Sequence, residues 1–110
     1  MPAASAEILE QLFRTIESRR GGDPRSSYTA KLLAEGKARI AKKLGEEATE
    51  TVIAAAAGAP DEVARESADL LYHLLVLWSA AGVAPADVWA ELARREGASG
   101  LAEKAARKKS

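Results

Sequence analysis

Nowhere along this 110-residue chain do apolar and polar residues alternate with a period of two for long enough to make a strand. Apolar residues recur instead at helical spacing, interrupted where glycine and proline gather. Ile8, Leu9, Leu12, Phe13 and Ile16 share one side of a helix over residues 5–19. GGDPRSS, residues 21–27, reads as a loop from its paired glycines, Asp-Pro and serines. Tyr28 to Glu35 reads as a short helix stopped by Gly36. Lys37 to Ala57 is a longer one ending at GAPD, where Gly58 and Pro60 punctuate and Asp61 is placed to cap. Asp61 to Ala81 follows, terminated by Gly82, and Pro85 to Arg95 closes the pattern with Val88, Trp89 and Leu92 as its apolar side. The expected fold class is all-α, as one domain over residues 1–110 with loose ends at 1–4 and 105–110.

Composition agrees with helices and excludes several functions. Aromatic residues are only 5% of a chain that is 47% apolar and rich in alanine, which suits close helix packing better than a sheet. Sixteen acidic residues balance sixteen basic ones, so nothing marks a nucleic-acid partner. Lys104, Arg107, Lys108 and Lys109 make the C-terminus locally basic, which a solvated tail explains more simply than a phosphate contact. The absence of cysteine rules out disulfides and thiolate metal sites and fits a reducing compartment. MPAASAEILE lacks the basic start and apolar core of a secretory signal. The longest apolar run, Leu70 to Ala81, is broken by His73 and Ser79 and falls short of the roughly 18 residues of a membrane span. A soluble, cytoplasmic protein without a membrane partner is expected.

The acids are less ordinary. In KKLGEEATE, Glu46, Glu47 and Glu50 crowd into five positions. With Glu46 at zero on a helical wheel, Glu50 lies at ~40° and Glu47 at ~100°, at the edge of an apolar face formed by Ile40, Leu44, Ala48, Val52 and Ala55. Ion pairing with Lys42 and Lys43 is the simplest reading of that stripe, at ~0.2–0.5 kcal/mol per pair. Gly45 costs up to ~1 kcal/mol inside a helix and calls for a reason, such as close approach of another helix or a ligand. On this segment alone, a surface helix and half a site both remain open.

DEVARESADLLYHLLVLW supplies the rest. Glu66 and Asp69 are three apart and face the same way, at the entrance to a helix that is apolar nearly all round from Leu70. Unpaired carboxylates there cost several kcal/mol each or take a proton. Arg65 is adjacent in sequence but points ~100° away. Glu47 with Glu50, and Glu66 with Asp69, together offer hard oxygen donors from two consecutive helices. The economical occupant is Mg²⁺ or Mn²⁺, since zinc would ask for histidine or cysteine. His73, four residues past Asp69, reads as a hydrogen-bonded core histidine ahead of a ligand or a residue orienting a carboxylate.

The order E-E-x-x-E, fifteen residues, E-x-x-D resembles the signature of the MazG-like all-α nucleoside-triphosphate pyrophosphohydrolases. DPRSSYTAKLLAEGKARIAKKLGEEATETVIAA, ESADLLYHLLVL and VWAELARREGASGLAEKAAR resemble, in order and spacing, the phosphoribosyl-ATP pyrophosphatases among them, over residues 7–107. The resemblance implies hydrolysis of phosphoribosyl-ATP to phosphoribosyl-AMP and pyrophosphate, the second step of histidine biosynthesis, with Mg²⁺ required. It carries the metal-binding acids onto Glu47, Glu50, Glu66 and Asp69; Glu46 matches the first glutamate of the motif and is assigned a role either in supporting those ligands from behind or in positioning the water.

For the phosphates, Lys43 lies ~20° from Glu50 on the wheel, with Lys42 and Arg39 close behind. Lys31 and Ser27-Tyr28-Thr29 are candidates for phosphate or ribose oxygens, each also readable as plain exposed surface. Trp78 and Trp89 read as packing residues. The helix from Asp61 has more apolar surface than the short helices can cover, so a homodimer with a four-helix core is expected, as the resemblance also implies. Two other readings stay open: a house-cleaning pyrophosphatase acting on free nucleotides, and a non-catalytic dimerisation module whose acids only make ion pairs.

Overall fold

A computed structural model describes residues 4–96. Of the expected loose ends at 1–4 and 105–110, residues 1–3 and 105–110 lie outside the described residues, as do the basic tail and the segment GLAEKAAR. Five helices follow one another: α1 (Glu7–Ser18), α2 (Tyr28–Glu35), α3 (Lys37–Ala56), α4 (Pro60–Ala81) and α5 (Pro85–Glu96). No strand occurs among the described residues. The chain is all-α.

Local chemistry sets the boundaries. Ser27 caps α2 by accepting the Ala30 N–H at 3.1 Å. Gly36 both ends α2 and begins α3, at φ 94° and ψ 171°, a conformation open essentially to glycine alone. Gly82 closes α4 in the left-handed region at φ 75°, and Val83 N–H reaches back to Trp78 O at 2.9 Å. At the start of α4 the expectation needs correcting. Asp61 is not the cap: Ala59 precedes the helix without a side-chain cap, and Pro60 occupies its first turn. Proline suits that place because its missing N–H would be unpaired there anyway. Asp61 and Glu62 then sit in the first turn, where they complement the helix dipole.

α3 and α4, joined by Ala57–Ala59, pack along each other as a hairpin, and α1 and α2 lie against it. Ile16, Leu32, Ile40, Leu75 and Val76 are almost wholly buried and make one core drawn from four helices. Each contributes about 1.5–3 kcal/mol by leaving water. Two polar ties set the outer helices. Arg20 Nη2 donates to Ser79 O and Oγ, both at 2.6 Å, while the Ser79 hydroxyl donates to Glu17 Oε2 at 3.0 Å, fixing the end of α1 on the end of α4. Trp89 Nε1 donates to Glu10 Oε1 at 2.6 Å, and its ring meets Trp78 edge-on at 5.8 Å, so both tryptophans pack.

The rotation of α3 differs from the wheel. Its buried residues are Ile40 and Ala54, with Leu44, Glu47 and Thr51 partly buried between them. Glu47 therefore lies in the middle of the stripe facing the rest of the chain, not at its edge. Val52, counted above in the apolar face, is 67% exposed, and Ile53 61%. The wheel merged two surfaces, one turned to α4 and one turned out. On α4, His73, Leu75, Val76 and Ser79 are buried, but Leu71 remains 42% exposed, so the described residues do not cover this helix all round. Among the described residues no single helix is long and apolar enough to cross a membrane.

Candidate active site

The hairpin turns two i, i+3 pairs of acids toward each other. Glu47 on α3 and Glu66 and Asp69 on α4 each bring a carboxylate oxygen within 4.8 Å of the others. Glu47 and Glu66 are partly buried, and Asp69 is exposed. Burial, then the negative charge of Glu50, pushes the Glu47 carboxyl above its usual range; His73 partly opposes this. Burial, then Glu50 beside it, likewise raises Glu66. Glu50 thus borders both residues but stands outside the tight group of three.

The lysine and arginine beside these acids in sequence are paired with other carboxylates. Lys43 Nζ pairs with Glu46 at 3.3 Å, and Arg65 with Glu62 at 2.9 Å. Glu66 Oε2 is buried with no hydrogen-bond partner among the described residues. A buried, orphaned carboxylate oxygen among converging acids is costly by itself. A hard divalent cation with oxygen ligands satisfies it, and the donor set fits Mg²⁺ or Mn²⁺.

One turn beyond Asp69, His73 is 5% exposed. Its Nδ1 lies 2.8 Å from Asp69 O and its Nε2 3.3 Å from Tyr28 Oη. It is a hydrogen-bonded core histidine, as expected, and it engages the backbone of Asp69 rather than its carboxylate. Tyr72 packs edge-on to His73 at 5.0 Å and shares a hydrogen bond with the Thr29 hydroxyl. Burial raises the Tyr72 phenol above its usual value.

The other candidates divide. Lys43 lies near Tyr28 and Glu47, and its ammonium is held above the usual lysine value, first by its hydrogen bond to Glu46. Lys42 lines an open depression of about 460 Å³ with Gly45, Glu46, Thr49 and Glu50. Arg39 turns back to Glu35 at 3.9 Å, Ser27 is engaged as the α2 cap, and Lys31 is exposed on α2. A second depression, of about 320 Å³, runs from Glu50 and Glu66 over Ile53, Ala54, Ala57 and Ala59 to Glu62. Tyr72 was not singled out from the sequence. Its only signal was its place beside His73, and its partner Thr29 is 43 residues away.

The profile of the family described as phosphoribosyl-ATP pyrophosphohydrolase matches residues 9–96. The chain belongs to this family. Proteins named phosphoribosyl-ATP pyrophosphatase are similar to it nearly end to end. The one from Caulobacter sp. (strain K31) is 66% identical over 101 residues, 92% of this chain and 94% of its own. That from Parvibaculum lavamentivorans is 63% identical over 105 residues, 96% of both chains. That from Paramagnetospirillum magneticum is 60% identical over 107 residues, 97% of this chain and 98% of the relative.

Proposed function

We propose that this chain hydrolyses phosphoribosyl-ATP to phosphoribosyl-AMP and pyrophosphate, the second step of histidine biosynthesis, in the cytoplasm. The observation that carries the reading is the convergence of carboxylate oxygens of Glu47, Glu66 and Asp69 within 4.8 Å of one another, with Glu66 Oε2 buried and without a partner among the described residues, in a chain of this family.

Glu47, Glu66 and Asp69 would hold Mg²⁺, or Mn²⁺ in its place, with Glu50 at the edge of the group. Such an ion polarises a phosphoryl oxygen and lowers the pKa of a bound water. The chain's own residues do the remaining work. A triphosphate repels a nucleophile, and Lys43, with Lys42 on the adjoining depression, offsets that charge. Glu46 holds Lys43 in place through their 3.3 Å ion pair and is a positioning residue in this reading. Glu50, beside the three acids but outside their tight group, is placed to accept the proton of the attacking water. In this reading water attacks the α-phosphorus, the α–β anhydride bond breaks, and pyrophosphate is the leaving group.

The working form in this reading is a homodimer. Val52, Ile53 and Leu71 leave apolar surface on both long helices, and pairing two hairpins makes a four-helix core that covers it.

Pyrophosphate release from phosphoribosyl-ATP and from a panel of free ribo- and deoxyribonucleoside triphosphates, with and without Mg²⁺, tests the function. Metal-dependent release selective for phosphoribosyl-ATP is expected. Preference for a free nucleotide, or no release at all, contradicts it.

A further inference from the structure

Tyr28, at 50% exposure, is the only exposed aromatic residue among those described. An exposed ring is ordinarily free to swing, but this one is fixed from three directions. Its Oη lies 3.3 Å from Nε2 of the buried His73, a bond that holds whichever atom supplies the hydrogen. The His73 ring meets it edge-on at 6.0 Å. Tyr72 stacks against it at 6.3 Å with the planes 23° apart, and Tyr72 is itself tied to the Thr29 hydroxyl. With hydroxyl, edge and one face engaged, what Tyr28 shows outward is the other face of its ring.

That face stands beside the proposed phosphate site. Lys43 adjoins Tyr28 as well as Glu46 and Glu47. His73, which anchors the ring, lies one helical turn, about 5.4 Å, past Asp69. A nucleotide with its phosphates over the acids and Lys43 carries its base one sugar away, on the Tyr28 side. The charge of the base then matters. Adenine in ATP is neutral. Once N1 bears a sugar, as in phosphoribosyl-ATP, the six-membered ring carries a positive charge at neutral pH, spread over N1, C6 and N6. A tyrosine face is electron-rich and attracts a cation placed over it, whereas a neutral base only stacks there.

We infer that Tyr28 is a specificity-determining residue whose outer ring face takes the cationic, N1-substituted adenine and so favours phosphoribosyl-ATP over ATP. The inference rests on the proposed hydrolysis of phosphoribosyl-ATP. Lys43 does not oppose the second cation, because its charge is turned to Glu46 at 3.3 Å and, in that reading, to the phosphates. A ring already fixed by His73 and Tyr72 also gives up little freedom when the base settles on it.

The test measures calorimetric binding of α,β-methylene-ATP, which resists the proposed cleavage, and of its 1-methyl derivative, which adds the ring charge without the second sugar. Wild type, Tyr28→Phe and Tyr28→Leu are compared with Mg²⁺ at neutral pH, alongside kcat/KM for phosphoribosyl-ATP. The wild type should bind the 1-methyl analogue about three- to tenfold more tightly, the worth of one cation–π contact. Tyr28→Phe keeps the ring and should keep most of that preference. Tyr28→Leu should bind the two analogues alike and lose the same factor in kcat/KM, mainly through KM. Equal binding of the two by the wild type, or binding of neither, overturns the inference without any variant. So does a Tyr28→Leu variant that keeps the preference, or a Tyr28→Phe variant that loses as much as Tyr28→Leu. A wild type that shows the preference but does not turn over phosphoribosyl-ATP supports the base subsite and contradicts the hydrolytic reading alone.

Discussion

Glu47 on α3 and Asp69 on α4 bring carboxylate oxygens within 4.8 Å of each other across the hairpin, with Glu66 between them in charge and Glu50 alongside. Like charges so close, partly buried, oppose folding unless protons or a cation offset them. The hairpin is held together elsewhere, by the core around Ile40, Leu75 and Val76. The acids are a feature the fold tolerates.

Glu47→Gln and Asp69→Asn should therefore lower activity by on the order of 10²-fold or more while leaving the helical fold intact. Without added metal the variants should melt no lower than the wild type, since each removes a repelling charge. Turnover near the wild-type rate in either variant would remove these residues from the site.

The carboxyl shifts give a pH dependence of definite sign. Glu47 and Glu66 titrate above the usual carboxylate range in the folded chain. A raised folded pKa contributes stability that is full below the unfolded pKa and is lost as pH rises through the folded one. In chelator, Glu66→Gln should match the wild type near pH 4 and exceed it in melting temperature at neutral pH. Glu91 acts with the opposite sign: Arg94 and Arg95 hold its carboxyl down at about 2, so its contribution is present above the usual range and is lost as pH falls through about 2. The two effects occupy different windows. A melting difference between Glu66→Gln and wild type that grows toward low pH contradicts the assignment.

Gly45 yields a stability prediction of its own. A methyl group there meets nothing within 4 Å, so no close approach among the described residues explains this glycine. Gly45→Ala should raise stability by about 0.5–1 kcal/mol through backbone entropy. Thermal melting reads this directly. A lower melting temperature would mean that a second chain packs closely against α3 at this point.

The periodicity of apolar residues, with Gly36 and Gly82 as stops, was enough to place all five helices within about two residues of their observed ends. The i, i+3 spacing likewise put each pair of acids on one side of its helix. Rotation about the helix axis was harder to read. Ala48, Val52 and Ala55 drew the apparent apolar face of α3 away from the stripe that contains Glu47, because one wheel cannot separate a surface used within the chain from one turned outward. Which acid Lys43 takes was not legible either: it pairs with Glu46, three residues on. The Tyr28–His73 bond spans 45 residues and becomes visible only when α2 folds back over α4.

The outward surface leads to a test of assembly. Val52 and Ile53 are more than half exposed and Leu71 is 42% exposed. Light scattering at micromolar concentration should report about twice the 11.6 kDa chain mass, and Val52→Glu combined with Leu71→Glu should shift it toward one chain. A monomeric wild type would refute the dimer.

The measurement that bears most directly on the proposed metal site is Mn²⁺ binding to the full chain, read from the electron paramagnetic resonance of the free ion. The wild type should bind Mn²⁺ saturably, and Glu66→Gln, with its helical circular dichroism unchanged, should bind at least tenfold more weakly. If Glu66→Gln binds as the wild type does, or the wild type leaves all the Mn²⁺ free at millimolar concentration, these carboxylates do not form a metal site.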